Sequence, residues 1–272
     1  MDQTTDVGVA LGLGVVQGTT EFLPVSSSGH LGVYALFADV PEMSLAWVLL
    51  LHASTLLATV VCFRRELAQL LRSSVAGLSA PRAFLGSEDG RVVTNVVIAS
   101  VPTAVIGLLL ESRVEALGRM PAVLGVGFLA SAAMALWTRR GGGGAQTLSL
   151  GAALLVGAAQ GAAVMPGLSR SGTTIAVAMA LGLTPIAAFR FSFLLSMPVI
   201  AGATVLKLGS PDVLAGLSST VWLAAVITFV TGYASLRLLG SLVSQGRFWV
   251  FACYLVPLGG GLLLHQALGG AG

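Results

Sequence analysis

Apolar residues run along most of this chain without a helical or strand period, and polar residues gather where the runs end. Four runs, about 45–63, 93–111, 121–138 and 220–240, approach the roughly 20 residues a helix needs to cross hydrocarbon. Two more, 186–206 and 249–267, read the same way. Regions 7–37 and 150–183 are apolar but interrupted. The first breaks at Pro24-Val25-Ser26-Ser27-Ser28-Gly29-His30, the second at Pro166-Gly167-Leu168-Ser169-Arg170-Ser171-Gly172. Neither half of either region is long enough to span alone, so each is expected to be a re-entrant helix–loop–helix. Residues 64–91, with five arginines and three acids, read as a loop, and Gly141–Gly144 as a flexible linker.

Composition agrees with this pattern. Of 272 residues, 56% are hydrophobic and 9% charged, against about 25% charged in an ordinary soluble domain. A soluble globular enzyme is excluded. The 35 glycines have no triplet period, so a collagenous chain is excluded too. Cys62 and Cys253 sit in apolar runs and form no disulfide framework. The class expected is an all-α polytopic membrane protein, a single domain over 1–272 with six spanning helices and two re-entrant hairpins. The first residues, Met1-Asp2-Gln3, are not basic, so no cleavable signal peptide is expected.

The two halves resemble each other. At an offset of 143, Gly8-Val9-Ala10-Leu11-Gly12-Leu13-Gly14 aligns with Gly151-Ala152-Ala153-Leu154-Leu155-Val156-Gly157. Gln17-Gly18 aligns with Gln160-Gly161, and Ser26, Ser28 and Gly29 align with Ser169, Ser171 and Gly172. Across 8–30 against 151–173, nine of 23 positions are identical. Apolar bias does not produce matched Gln-Gly and Ser-x-Ser-Gly in register. Repeats of about 7–140 and 150–270 are therefore expected. Three spanning helices lie between the two breaks, so the repeats should be inverted and the site should form where the breaks meet.

The net charge of +3 carries orientation rather than a nucleic-acid stripe. If 64–91 is cytoplasmic, so are Arg139, Arg140, Arg237 and Arg247, giving nine basic residues inside against Arg113, Arg119 and Lys207 outside. That choice places both termini outside and opens the first hairpin outward. Arg170 and Arg190 fall within apolar segments.

An ionisable group inside the bilayer costs about 2.5–3.5 kcal/mol on the insertion scale, so it usually has a partner and a task. Glu21, His30 and Arg170 all lie at or beside the breaks. Gln17 precedes Glu21 by one helical turn. Ser27 precedes His30 by three residues, so both can face one cavity. Gly29 and Gly172 allow close backbone approach, and the helix starts after both breaks offer N–H groups to an anion. Arg170 supplies a planar fork matched to phosphate. Ser27 can attack phosphorus, with His30 moving protons. Glu21, with Gln17, can hold a divalent cation, Mg or Ca. Structural readings stand beside these. Gln17 can be a helix–helix hydrogen bonder, the serines can cap helices, and Arg170 can simply pair with Glu21. Arg190, His52 and His265 read as structural. Water can replace Ser27 as nucleophile, leaving the serine as a phosphate ligand.

The strings Gln17-Gly18-Thr19-Thr20-Glu21-Phe22-Leu23-Pro24-Val25-Ser26-Ser27-Ser28-Gly29-His30 and Pro166-Gly167-Leu168-Ser169-Arg170-Ser171-Gly172 resemble the two signatures of the undecaprenyl-diphosphate phosphatase family, the bacitracin-resistance proteins. Phe191-Ser192-Phe193-Leu194-Leu195-Ser196-Met197-Pro198 is similar to the sequence that follows the family's second motif. The resemblance implies a bacterial inner-membrane enzyme that removes one phosphate from a C55 isoprenoid diphosphate, with a divalent cation, at a site open to the periplasm. It places Glu21, Ser27, His30 and Arg170 on catalytic positions. Gln17, Ser26, Ser28, Gly29, Gly167, Ser169, Ser171, Gly172 and Thr173 are then expected to bind substrate, and Glu21 the metal. Gln17 stands where the family pattern admits an acid, which shifts metal and proton duties toward Glu21 and His30. The partners expected are the polyprenyl diphosphate, membrane lipid and a second copy in a homodimer, with no nucleic acid. The rival reading is a transporter or flippase of the lipid phosphate, because broken inverted repeats also build transporters.

Overall fold

The structure is a computed structural model that describes residues 7–38, 44–208, 213 and 218–269. The expectation about a signal peptide rests on Met1-Asp2-Gln3, which lie outside the described residues.

Twelve α-helices are labelled here among the described residues. They are α1 (Val7–Phe22), α2 (Ser27–Ala38), α3 (Leu45–Cys62), α4 (Arg64–Gly77), α5 (Pro81–Gly86) and α6 (Glu88–Leu117). Then follow α7 (Pro121–Trp137), α8 (Leu150–Ala162), α9 (Arg170–Ala180), α10 (Pro185–Leu208), α11 (Ser219–Ser244) and α12 (Ala252–Ala267). No strand is described. Six of these helices are long and apolar enough to cross a membrane: α3, α6, α10 and α11 by themselves, α7 together with the 3-10 turn Thr138–Arg140, and α12 together with the 3-10 turn Phe248–Phe251. The six expected spans all fall on them. The helices reach further than the apolar runs because polar caps close them. The Ser87 hydroxyl accepts from Gly90 N and starts α6 at Glu88, five residues before the apolar stretch. Ser218 does the same for α11 through Val221 N, and Pro121 sits in the first turn of α7.

Two expectations are corrected. Residues 64–91 are not a loop but α4, α5 and the start of α6. Leu67 and Leu70 recur at helical spacing and pack on the core, and the charged residues serve tertiary contacts. Glu66 accepts from Arg190 on α10 at 2.8 and 3.0 Å, and Asp89 accepts from Ser73 at 2.6 Å and Gln69 at 3.0 Å. The glycine linker is not free either. Ala145 N donates to Gly182 O and Thr184 N to Ala145 O. A Cβ on Gly142 or Gly143 would come within 2.2 Å of the carbonyls of Leu183 and Gly182. Those glycines let two backbones touch.

Helix pairing follows small residues. Without a hydrophobic drive between helices in lipid, close backbone approach supplies the contact energy. On α1, Gly14 and Gly18 face Ala224, Thr228 and Gly232 of α11. On α8, Gly157 and Gly161 face Ala99 and Ile106 of α6. Both contacts carry a threonine bond to a glycine carbonyl: Thr228 to Gly14 O at 3.2 Å and Thr103 to Gly157 O at 2.8 Å. Gly125 on α7 and Gly259 on α12 pack on each other. The central core gathers Phe22, Phe63, Phe189 and Phe193, with Phe189 and Phe193 centroids 5.0 Å apart.

Candidate active site

The site forms where the α1–α2 and α8–α9 turns meet. In the first turn Val25 N donates to Leu23 O, and Ser26 takes a left-handed backbone (φ 68°) that a non-glycine residue seldom adopts. Its hydroxyl accepts from Gly29 N at 3.2 Å and so starts α2. In the second turn Gly167 supplies the positive φ of 82°. Ser169 caps α9, its hydroxyl accepting from Gly172 N at 3.1 Å. Each capping serine also pairs with the serine two residues on, Ser26 with Ser28 at 3.3 Å and Ser169 with Ser171 at 3.2 Å. Of the N–H groups at these two helix starts, expected to face an anion, those of Gly29 and Gly172 are taken by the caps.

The turns are seated on α7. A Cβ on Gly29 would lie 2.7 Å from the Phe128 ring and 2.9 Å from Gly167 Cα. The Ser131 hydroxyl donates to Gly167 O at 3.2 Å and accepts from Ser169 N at 2.8 Å. Both motifs are thereby held against one helix.

Glu21, at the end of α1, is the centre of the site, with its side chain 7% exposed. Oε1 accepts from Arg170 Nη2, which closes an ion pair across the two turns. Oε2 accepts from the Ser27 hydroxyl at 2.7 Å and from Gln17 Nε2 at 3.1 Å. Of the expected site residues, Gln17, Glu21, Ser27 and Arg170 are thus joined directly. Three buried polar atoms nearby have no partner in the protein: Gln17 Oε1, Arg170 Nη1 and Thr173 Oγ1. Burying a polar group unpaired is costly, and a ligand oxygen or cation would relieve each in a different way. Gly167, Ser26 and Ser169 shape the turns, Ser171 is buried between them, and Ser28 is exposed.

His30 is placed differently from the expectation. Nδ1 donates to Ser26 O at 2.8 Å, and Nε2 accepts from the Tyr254 hydroxyl of α12 at 2.7 Å. The ring stacks on Tyr254 and meets the edge of Phe128. Both nitrogens are engaged away from Ser27, whose proton points to Glu21 instead. The histidine that does approach the carboxylate is His52 on α3. Its Nδ1 donates to Val48 O at 2.8 Å, and its Nε2 lies 3.9 Å from Glu21 Oε2. Tyr254 and Ser131 have no place in the sequence reading, and His52, read there as structural, is the histidine that faces the carboxylate. The signal available was only that each is polar within an apolar span.

The residues fit a divalent cation in one manner. Among the described residues no group of three or more His, Cys, Asp or Glu side chains could hold a metal by itself. Glu21 is a single carboxylate already shared, but Gln17 Oε1 is an unpaired oxygen beside it. Mg is commonly held by one or two carboxylates together with substrate phosphates. A cation arriving with a phosphate ligand suits this set, and a cation held by protein alone does not.

Six helices long and apolar enough to span, packed about a Glu–Ser–Arg cluster whose carboxylate is buried, define a multi-pass helical membrane protein. The family model of bacitracin resistance protein BacA matches residues 10–261, and the chain belongs to that family. It is 38% identical to the undecaprenyl-diphosphatase of Korarchaeum cryptofilum over 264 residues, 93% of this chain and 97% of that protein. To the undecaprenyl-diphosphatase of Desulfosudis oleivorans it is 40% identical over 261 residues, 91% and 94% of the two chains. To that of Rubrobacter xylanophilus it is 41% identical over 260 residues, 90% and 93%.

Proposed function

We propose that the chain is an integral membrane phosphatase that hydrolyses undecaprenyl diphosphate to the monophosphate and inorganic phosphate, a reaction that recycles a cell-wall lipid carrier and confers bacitracin resistance. The observation that carries this is the Ser27 hydroxyl donating to a carboxylate whose other oxygen is held by Arg170, with Arg170 Nη1 left over for a phosphate oxygen. The relatives named above bear the name of this activity over nearly their whole length. That favours the phosphatase over a transporter, which needs no nucleophile.

In the reaction the terminal phosphate enters beside Arg170, whose Nη1 meets one of its oxygens while Nη2 stays on Glu21. Ser27 Oγ forms a bond to the terminal phosphorus while the bond to the bridging oxygen breaks. Polyprenyl monophosphate leaves, and the serine proton passes to Glu21. Water then attacks the phosphorus of the phosphoserine and the Oγ–P bond breaks; the serine oxygen takes back the proton held on Glu21, the carboxylate so freed accepts one from the attacking water, and inorganic phosphate departs. Phosphoryl transfer needs mainly positioning and charge neutralisation, and Arg170 supplies both. Thr173 offers a further hydroxyl to the phosphate. Glu21 and Gln17 Oε1 would hold a Mg or Ca ion together with diphosphate oxygens. Such an ion neutralises phosphate charge and favours the leaving group. His30 acts through Ser26, whose carbonyl it holds.

The hairpins α1–α2 and α8–α9 are read as re-entrant elements of two inverted repeats within one membrane domain. The support is the exchanged packing: α1 on α11 and α8 on α6, each through a Gly-xxx-Gly pair 143 residues from the other. The arginine asymmetry supports an inner-membrane protein whose site faces the periplasm. A homodimer is compatible with this arrangement.

The test is release of inorganic phosphate from a polyprenyl diphosphate by the purified protein in detergent, where no gradient exists. Wild type should turn over, Ser27→Ala should not, and Ser27→Cys should accumulate a phosphoenzyme. Normal turnover by Ser27→Ala overturns the nucleophile, and no release by wild type overturns the phosphatase.

A further inference from the structure

We propose that α4 and α5 form an in-plane membrane anchor that binds anionic phospholipid headgroups at the membrane face opposite the outward-opening end of the first hairpin. The placement follows from connectivity. The spanning helix α3 ends at Cys62 and the spanning helix α6 begins at Glu88, so the segment between them is tethered at both ends to one bilayer surface.

Its two faces then divide the work. The inward face is satisfied by protein. Leu67 and Leu70 pack on the core, Glu66 is held by Arg190, Ser73 and Gln69 bond Asp89, and Gly77 is capped by the Phe84 ring. The outward face carries Leu71 at 66% exposure, Val75 at 60% and Leu78 at 81%, one stripe at spacings of four and three, extended by Leu85 at 56%. Along its edge stand Arg65 and Arg72, with Arg82 beside Leu85, all exposed.

An apolar stripe edged by arginines is the pattern of a helix lying in the headgroup layer, its leucines toward the acyl chains and its guanidiniums at the phosphates. Two of the three acids of this segment, Glu66 and Asp89, are occupied internally, which leaves Glu88 against the arginines. The surface presented to lipid is therefore basic, and its complement is an anionic headgroup.

The experiment uses the full chain with Cys62 and Cys253 replaced by alanine and a spin label on Val75→Cys, in nanodiscs of phosphatidylglycerol and of phosphatidylcholine. The label should collide with oxygen dissolved in the acyl region rather than with a water-soluble nickel chelate. In native mass spectrometry, Arg65→Ala/Arg72→Ala should weaken phosphatidylglycerol binding by about five-fold per arginine, with phosphatidylcholine binding unchanged. Unchanged turnover of the double variant in detergent shows that the fold is intact and keeps this result separate from the phosphatase reading. A nickel-accessible label overturns the anchor. So does equal binding of the two lipids, or spin–spin broadening that places a second copy of the chain on the stripe.

Discussion

Glu21 and Arg170 are 149 residues apart in sequence and form one ion pair, each contributed by a different broken helix. The pair joins the acid of the first motif to the guanidinium of the second, so the site depends on it twice, for position and for charge. Arg170→Ala leaves a buried carboxylate unpaired, which typically costs 3–5 kcal/mol. It also removes a charged donor from the transferring phosphate, expected to lower turnover by about 10²–10³-fold. Arg170→Lys should recover much of the thermal stability and little of the turnover, because the planar fork is lost. Thermal unfolding in detergent and phosphate release measure the two effects separately.

Gln17→Glu places a second carboxylate against Glu21 Oε2, where Nε2 now donates at 3.1 Å. Without cation the two charges repel, and the variant should unfold at lower temperature than wild type in EDTA. Adding Mg or Ca should raise its unfolding temperature more than that of wild type, and half-activation should need less cation. An equal thermal response in the two proteins would remove Gln17 from the cation site.

Tyr254→Phe keeps the stacking on His30 and deletes the hydroxyl that fixes Nε2. One net hydrogen bond is worth about 1 kcal/mol, so turnover should fall about five-fold with KM little changed. His30→Ala also frees the Ser26 carbonyl and should cost more. Steady-state kinetics on both variants checks the order.

Gly157→Ala drives a Cβ to within 2.1 Å of Ala99 O, a backbone atom with nowhere to go. Overpacking of this kind costs about 1–3 kcal/mol. Gly151→Ala, on the same helix with open space around it, should leave the unfolding temperature unchanged or raise it slightly through helix propensity alone. The paired measurement separates helix contact from helix propensity.

The spans were legible because each is a continuous apolar run, and bilayer thickness sets their length without help from neighbours. The motifs were legible because Glu21 and Arg170 are charges where charge is expensive. Three things were not. Residues 64–77 carry enough arginine and serine to hide the spacing of Leu67, Leu70 and Leu71, and composition outweighed period. Gly141–Gly144 reads as loose until the Gly182–Thr184 backbone is laid against it. Ser27 and His30 are one turn apart, which puts them near one face, but the direction of each side chain is decided elsewhere. Ser27 turns to Glu21, while His30 is drawn to Tyr254, 224 residues further on. His52 reaches Glu21 in the same way, through a contact that only the folded chain creates.

The exchanged packing of α1 and α8 has a consequence for biosynthesis. The helix that carries Glu21 seats its glycines on Ala224, Thr228 and Gly232, roughly two hundred residues downstream. As the chain emerges from the ribosome, α1 can meet α2 and α3 early, through Leu13, Tyr34, Trp47 and Leu51, but the surface that receives its glycines does not exist until α11 has been made. Glu21 therefore waits through most of translation before Arg170, and then the whole bundle, closes around it. A truncated product that stops before residue 219 lacks the surface on which Gly14 and Gly18 of α1 are seated.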